Sequence, residues 1–292
     1  MINQEDRERV EVHYSDRELL RLIPRVLRAR DFHLYLENGK RLTDLWLAGG
    51  RSVLGHKPPR VLSELKNAAE RGLFTPLPHP MERRILKALG ELFPGKVFRI
   101  YTDKCALQCA LSSVGKAMEK KVSIWRPFVE RRADIMLSDL ISSGNVSSDK
   151  ISDSSQKEAR ILIPVLPWPL GPEALVLDKD MDASFPVGEI IPPVLLAPAT
   201  RALYDLLAAI KDGSRISRVY PKIEKAIKGG PWRRRGIYLT IEIEADGEKY
   251  ANLFRGFLEG GFLIPPSPAE PLILPASMSD GEEAKLAGLL KL

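Results

Sequence analysis

The chain has 292 residues, of which 44% are hydrophobic and 28% charged, enough for one large or two smaller folded domains. Its four histidines are scattered and its two cysteines form no framework, so neither a zinc site nor a set of structural disulfides is expected. The sequence shows neither a long apolar membrane segment nor an apolar leader, so we expect a cytoplasmic protein without a membrane partner. The net charge of +6 only weakly favours phosphate-bearing or acidic partners.

The N-terminal region is predicted to begin with a helix and a hairpin. Residues 15–29 have an amphipathic helical pattern, interrupted at Pro24. Two apolar runs follow at 32–36 and 42–47, and the intervening Asn38-Gly39 indicates a tight turn between two strands.

The middle of the chain alternates helices and strands. Predicted helices cover residues 61–71, 81–93, 106–120 and 199–211, and predicted strands cover 97–101, 122–125 and 161–165. This alternation favours an α/β domain with a parallel sheet. Serine-rich residues 138–156 are predicted to form a mobile loop. The last part mixes short elements, which is typical of a small α+β domain: helices 220–228, 250–259 and 281–290, and strands 236–244, 262–264 and 272–274.

Four motifs occur in a recognisable order. They are Tyr-Leu-Glu-Asn-Gly-Lys-Arg-Leu-Thr-Asp at 35–44, Leu-Gly-His with Pro-Pro at 54–59, a helix leading into Pro-Gly and a strand at 82–102, and Gly-Gly-Phe-Leu-Ile-Pro-Pro-Ser-Pro-Ala-Glu-Pro at 260–271. In this order they resemble the class III aminotransferases, especially the glutamate-1-semialdehyde aminomutase branch, which are pyridoxal-phosphate enzymes of fold type I. The middle of the chain matches poorly, and the chain is shorter than a typical member.

The resemblance implies a fold and a domain division. We expect a reduced form of the three-layer α/β sandwich of the pyridoxal-phosphate-dependent transferases of type I, over residues 51–210. Residues 1–50 plus 211–292 would form a small α+β domain. The resemblance also implies a homodimer and, in an active protein, a small amino acid or amine as substrate.

The resemblance also assigns roles to particular residues. Thr102, Asp103, Lys104 and Cys105 occupy the place of the phosphate-binding turn, where a helix begins after a strand. Trp125 would stack on the cofactor ring. Lys179 has the spacing of the Schiff-base lysine from Pro186-Val187-Gly188. Arg51 and His56 lie in a loop that borders the substrate in the family.

Several features depart from the family pattern. The expected phosphate turn lacks glycine, and no carboxylate follows the strand at 161–165 to hold the cofactor nitrogen protonated. Neighbouring Asp178, Asp180 and Asp182 would keep Lys179 charged, whereas a Schiff-base lysine must lose its proton.

These observations leave three hypotheses. The first is a degenerate scaffold, a pseudoenzyme with weak or lost transaminase chemistry. The second is an active pyridoxal-phosphate-dependent aminotransferase or aminomutase. The third is a basic nucleic-acid-associated protein, suggested by the net charge and Trp232-Arg233-Arg234-Arg235, but this run is small for a nucleic-acid interface and such a partner is not expected.

Overall fold

The computed structural model describes residues 16–114, 122–129, 161–242 and 247–291. The chain divides into two compact units. The first contains Met1–Trp46, Tyr220–Arg234 and Leu239–Leu292, and the second contains Leu47–Val219 and Arg235–Tyr238. The serine-rich segment 138–156 lies outside the described residues.

The first unit contains a four-stranded sheet in the order β1-β2-β3-β10, made of β1 (Val26–Arg30), β2 (His33–Leu36), β3 (Arg41–Asp44) and β10 (Phe262–Leu263). The pairs β1–β2 and β2–β3 are antiparallel, and β10 lies parallel to β3. Gly39 has φ 76°, so the turn predicted at Asn38-Gly39 is confirmed. A second sheet has the order β11-β9-β8, from β8 (Trp232–Arg235), β9 (Tyr238–Ile241) and β11 (Leu272–Ile273).

The helices of this unit are α1 (Asp16–Leu20), α7 (Pro221–Ile227), α8 (Gly247–Glu259) and α9 (Asp280–Leu289). Helix α8 buries Tyr250, Phe254 and Phe257, whose spacing of four and three residues places them on one face. Phe257 contacts Trp232 with 6.2 Å between ring centroids. The apolar core of the unit therefore draws on residues from both ends of the chain.

A single carboxylate joins helix α9 to the N-terminal hairpin. Ser279 caps the helix, and its backbone N–H and hydroxyl donate to Glu282 Oε2 at 2.9 and 2.8 Å. The other oxygen, Glu282 Oε1, lies 2.9 Å from His33 Nε2, 2.9 Å from Arg41 Nη2 and 3.1 Å from Thr43 Oγ1. Burial alone would raise the pKa of Glu282, but the hydrogen bonds from Ser279 and His33 lower it to about 2.

The second unit contains a mixed sheet in the order β4-β7-β6-β5, from β4 (Val97–Tyr101), β5 (Val122–Trp125), β6 (Ile161–Pro164) and β7 (Glu173–Leu177). Strands β5 and β6 are parallel, whereas β7 is antiparallel to both β4 and β6. The prediction of a parallel sheet is therefore wrong for β7, which the sequence patterns did not reveal.

The helices of the second unit are α2 (Pro59–Glu70), α3 (Met81–Leu92), α4 (Lys104–Ser113), α5 (Pro193–Asp212) and α6 (Ser214–Ser217). Helix α5 packs against α2 and α3. Among the described residues it alone is long and apolar enough to cross a membrane, with a mean hydropathy of 1.3, yet 61% of that apolar window is buried. This burial is what a core helix requires.

Three predicted elements are corrected by the structure. The N-terminal helix ends at Leu20, and residues Val26–Arg30 pair with β2 as a strand instead. Helix α5 begins at Pro193 rather than at residue 199, because proline is tolerated in the first helical turn. Within the range predicted as a strand at 236–244, the described residues form only β9 at Tyr238–Ile241, which follows β8 through a turn at Gly236 with φ 56°.

We predict that Glu282→Gln removes an acid-sensitive contribution to stability. The folded-state pKa of about 2 lies below the ordinary value of 4.5, so protonation favours the unfolded chain. The contribution is complete above pH 4.5 and is lost as the pH falls toward 2. At neutral pH the variant should lose about 1–2 kcal/mol in the free energy of unfolding measured by denaturant titration.

The exposed Glu259, at the end of α8, provides the matched control as Glu259→Gln. This variant should unfold like the wild type throughout the acid range. An equal loss of stability on acidification in the wild type and Glu282→Gln would contradict the role given to Glu282.

Candidate functional site

Strand direction determines which segments of the second unit share an edge of the sheet. Since β7 is antiparallel to its neighbours, strands β4, β5 and β6 all point one way and end at the edge where β7 begins. Tyr101, the last residue of β4, pairs with Glu173, the first residue of β7. We call this edge the carboxyl edge, and ligands of open α/β sheets bind outside such edges.

The predicted phosphate-binding turn lies at the carboxyl edge. Asp103 caps helix α4, and its Oδ1 accepts from the backbone N–H of Ala106 at 2.9 Å. The backbone N–H of Thr102 donates to Glu189 Oε2 at 2.7 Å. The backbone N–H groups of Ala106 and Thr102, which a phosphate would need as donors, are therefore already bonded to carboxylates. Lys104 and Cys105 are exposed.

Trp125 ends strand β5 at the same edge, but its indole is buried in the core. The residue is 2% exposed and makes an edge-to-face contact with Phe93 at 5.1 Å between ring centroids. Its backbone oxygen accepts from Val165 at 3.0 Å, which continues the pairing of β5 with β6. These contacts are those of a core residue.

Lys179 lies at the opposite edge of the sheet. Leu177 ends β7 opposite Val97, the first residue of β4, and Lys179 begins the short 3₁₀ helix that follows. Its side chain is exposed. The structure therefore does not bring Lys179 together with Thr102–Cys105 or with Trp125.

The segment after Lys179 returns to the carboxyl edge alongside β4. The backbone N–H of Glu189 donates to the oxygen of Ile100 at 2.8 Å. A Cβ added to Gly188 would lie 2.9 Å from the backbone N and O of Ile100, so only glycine permits this approach. Pro186-Val187-Gly188 thus has a packing role beside β4.

Arg51 lies at the carboxyl edge and is bound by a carboxylate. Its Nη2 forms an ion pair with Oε1 of Glu173, and the two side chains are only 12% and 6% exposed. The ion pair therefore occupies at least one donor of the Arg51 guanidinium. The family resemblance implied that this guanidinium borders the substrate. His56, in the same segment, is half-buried.

The backbone around Arg51 is strained. Leu47 and Ala48 have φ of 50° and 52°, and Phe128, just beyond β5, has φ of 64°. These are three of the four non-glycine residues with positive φ in the described part of the chain. Such conformations cost about 1–2 kcal/mol each for residues with a Cβ and concentrate at functional sites.

Two arginines, which sequence reasoning did not assign to the site, stabilise the strained segment. Nη1 of the buried Arg126 donates to the oxygen of Gly49 at 2.7 Å. Arg215 donates through Nη1 to the oxygen of Val53, and its guanidinium lies 5.1 Å from the ring centroid of Phe128. Neither arginine belongs to a motif that the sequence patterns singled out.

The buried Tyr238 interacts electrostatically with Arg126 and Arg215. The Tyr238 hydroxyl donates to the oxygen of Pro127 at 2.7 Å. Burial raises the pKa of Tyr238 well above its ordinary value, although Arg126 and Arg215 act in the opposite direction. Tyr238 therefore serves as a neutral donor beside two arginines that carry fixed charges.

The described residues contain no group of three or more metal-binding side chains. The basic run at 232–235 belongs to a structural hairpin in which Trp232 is buried. Arg234 forms an ion pair with Glu224, and Arg233 pairs with Glu242 at 3.1 Å. These contacts reduce the charge available to a polyanion.

Solved structures similar to this chain include aminotransferases. Acetylornithine aminotransferase from Elizabethkingia anophelis matches with a TM-score of 0.61 at 13% identity, over 95% of this chain and 98% of that one. A glutamate-1-semialdehyde aminomutase from Pseudomonas aeruginosa PAO1 matches with a TM-score of 0.62 at 11% identity, over 91% and 86% of the two chains. The chain therefore has the fold of these aminotransferases.

Sequence relatives come from two spirochaetes. An uncharacterized protein of Treponema pallidum is 26% identical over 306 residues, covering 88% of this chain and 91% of that protein. An uncharacterized protein of Borreliella burgdorferi is 34% identical over 103 residues, which is 35% of this chain and 38% of that protein. No family model matches the chain.

We predict strong energetic coupling between Arg51 and Glu173. Arg51→Met or Glu173→Gln alone should lower the free energy of unfolding by about 3–5 kcal/mol, because each leaves a buried group without its partner. The double variant Arg51→Met/Glu173→Gln should lose much less than the sum of the single changes. Denaturant titration of the four proteins measures the coupling.

The ion pair of the exposed Arg60 and the half-buried Asp205, 3.7 Å apart, supplies a control within the same unit. Arg60→Met should change the free energy of unfolding by less than about 1 kcal/mol. Additive effects of the Arg51 and Glu173 changes would show that the two side chains do not depend on one another.

Proposed function

We propose that this chain is a degenerate member of the class III aminotransferases, a reduced three-layer scaffold of fold type I whose transaminase chemistry is weak or lost. One observation carries this proposal: Lys179 lies at the opposite edge of the sheet from the turn at Thr102–Cys105. A Schiff-base lysine and a phosphate cradle must reach the same small cofactor molecule. The antiparallel β7 separates these two candidates.

The residues at the carboxyl edge do not fit pyridoxal phosphate. The helix N-terminus presents the carboxylate of Asp103, and Glu189 takes the N–H of Thr102. Both acids would repel a phosphate. Trp125 packs against Phe93 in the core and does not present its indole for stacking on a cofactor ring.

The lysines of the described residues also support the proposal that transaminase chemistry is weak or lost. Each is exposed except Lys96, which is half-buried and forms an ion pair with Asp178 at the edge opposite the predicted phosphate turn. A Schiff-base lysine needs a desolvated or cation-flanked site that lowers its pKa. An exposed lysine and one paired with an aspartate lack this environment.

The alternative is an active pyridoxal-phosphate-dependent aminotransferase or aminomutase acting on a small amino acid or amine. The fold favours it, since similar structures include one described as a transaminase with pyridoxal phosphate bound, with a TM-score of 0.62 at 13% identity. The same resemblance suggests a homodimer. We further propose a cytoplasmic location, without membrane or nucleic-acid partners.

The two functions are separated by reduction of the protein with borohydride in the presence of pyridoxal phosphate. We predict no aldimine absorbance band and no stoichiometric adduct, because the described lysines are exposed or paired. Peptide mass mapping would locate adducts on every lysine of the chain, including those outside the described ranges. Scattered, substoichiometric labelling is the result expected from exposed amines.

Lys179→Arg is the matched variant, since it keeps the charge and removes the amine. Labelling of the wild type and the variant should be indistinguishable apart from the lost site. A single stoichiometric adduct with an absorbance band, on Lys179 or on any other lysine, would establish the enzyme and overturn the scaffold proposal.

A further inference from the structure

We propose that Cys105 and Cys109 form a two-thiolate site that binds one Cu(I) ion on the exposed face of helix α4. This inference goes beyond the scaffold function and can fail independently of it. The borohydride experiment reports on lysine chemistry, whereas this site depends on two thiols that the scaffold function does not use.

The two cysteines lie about one helical turn apart on α4. Both are exposed and neither belongs to a disulfide, and the sequence contains no other cysteine. The other side of the helix carries the buried Leu107 and Ala110, which pack in the core of the second unit. Residues four positions apart on a helix have Cβ atoms about 5–6 Å apart. The packing of α4 therefore holds two thiols close together at the surface.

The site includes the first turn of α4, which is fixed by hydrogen bonds. Asp103 Oδ1 accepts from the backbone N–H of Ala106 at 2.9 Å, and the Asp103 backbone oxygen accepts from Leu107 at 3.1 Å. When two thiols bind Cu(I), each sulfur releases its proton, so the complex carries a net charge of −1. The N-terminus of a helix stabilises negative charge, and the exposed Lys104 adds a cation next to Cys105.

The spacing of the two cysteines suits a bridging ion better than a disulfide. A disulfide requires Cβ atoms about 3.5–4.5 Å apart, so its formation would distort the helix. A metal–sulfur bond of about 2.3 Å allows the two sulfurs on one ion to lie about 4–5 Å apart. Since each sulfur rotates about its own Cα–Cβ bond, the pair can reach this separation without moving the backbone.

The number of ligands selects the metal. Thiolates favour soft ions, chiefly Cu(I), Zn²⁺ and the iron of iron–sulfur clusters. Structural Zn²⁺ sites take four protein ligands and iron–sulfur clusters take four cysteines, whereas Cu(I) accepts two sulfurs in a linear arrangement. Within the described ranges, no third histidine, cysteine or carboxylate completes a metal-binding group with the pair. Cu(I) is therefore the ion whose coordination two thiolates can complete.

The test uses the full chain, reduced and kept free of oxygen, with Cu(I) supplied as its complex with a chromogenic chelator. Loss of the chelator absorbance measures transfer of the ion to the protein. The wild type should take up one Cu(I) per chain without a change in oligomeric state, measured by sedimentation. Cys105→Ser and Cys109→Ser should each weaken Cu(I) binding about 100-fold or more, because the second thiol no longer binds within the same molecule.

Two double variants separate the spacing of the thiols from their number, using exposed serines of the same helix. Cys109→Ser/Ser112→Cys keeps two exposed thiols but places them about 10 Å apart along the helix, so it should bind as weakly as a single-thiol variant. Cys105→Ser/Ser113→Cys restores the four-residue spacing about one turn further along. This variant should recover most of the wild-type affinity.

Zn²⁺ provides the control for metal identity, and a zinc indicator should show no transfer to the wild type at the same protein concentration. Cu(I) affinity that is equal in the wild type and the single-serine variants would overturn the proposal. The same conclusion would follow from one ion shared by two chains, from wild-type affinity in Cys109→Ser/Ser112→Cys, or from tighter binding of Zn²⁺ than of Cu(I).

Discussion

The direction of strand β7 is the constraint on which the interpretation of this molecule depends. Because β7 runs antiparallel between β4 and β6, residues that follow β4, β5 and β6 meet at one edge, while residues that follow β7 emerge at the other. The chain then returns beside β4 through Gly188, whose missing side chain permits the approach. The chain has an aminotransferase-like fold, and Lys179 lies at the edge opposite the predicted phosphate turn.

Charged side chains are the main chemical feature of the carboxyl edge. The buried pair of Arg51 and Glu173 is neutral as a unit, and Arg126 adds a permanent charge next to a strained backbone segment. Backbone strain and a buried charge both oppose folding. In the first unit, by contrast, Glu282 satisfies donors from both chain ends, and its role is structural. The two units thus differ in how their charges are balanced.

Much of the fold could be predicted from the sequence, because amphipathic helices such as α2 and α3 and turn signals such as Asn38-Gly39 are local. Strand β7 could not, since its five residues are all buried and show no alternation. Strand β1 has helical periodicity, and only its pairing with β2 makes it a strand. For the site, the structure places Arg51 at the carboxyl edge, and its partner Glu173 comes from a distant part of the sequence. Spacing along the chain cannot reveal such contacts.

The separation of the two edges can be measured directly by dipolar electron paramagnetic resonance. Spin labels would be attached to the exposed native Cys105 at the start of α4 and to Lys179→Cys, with Cys109→Ser to leave one native site. The strand between the edges predicts a resolved distance of roughly 20 Å between the two backbones. Strong broadening of the spin-label spectrum would mean that both labels lie close together at one edge of the sheet. That result would contradict the account.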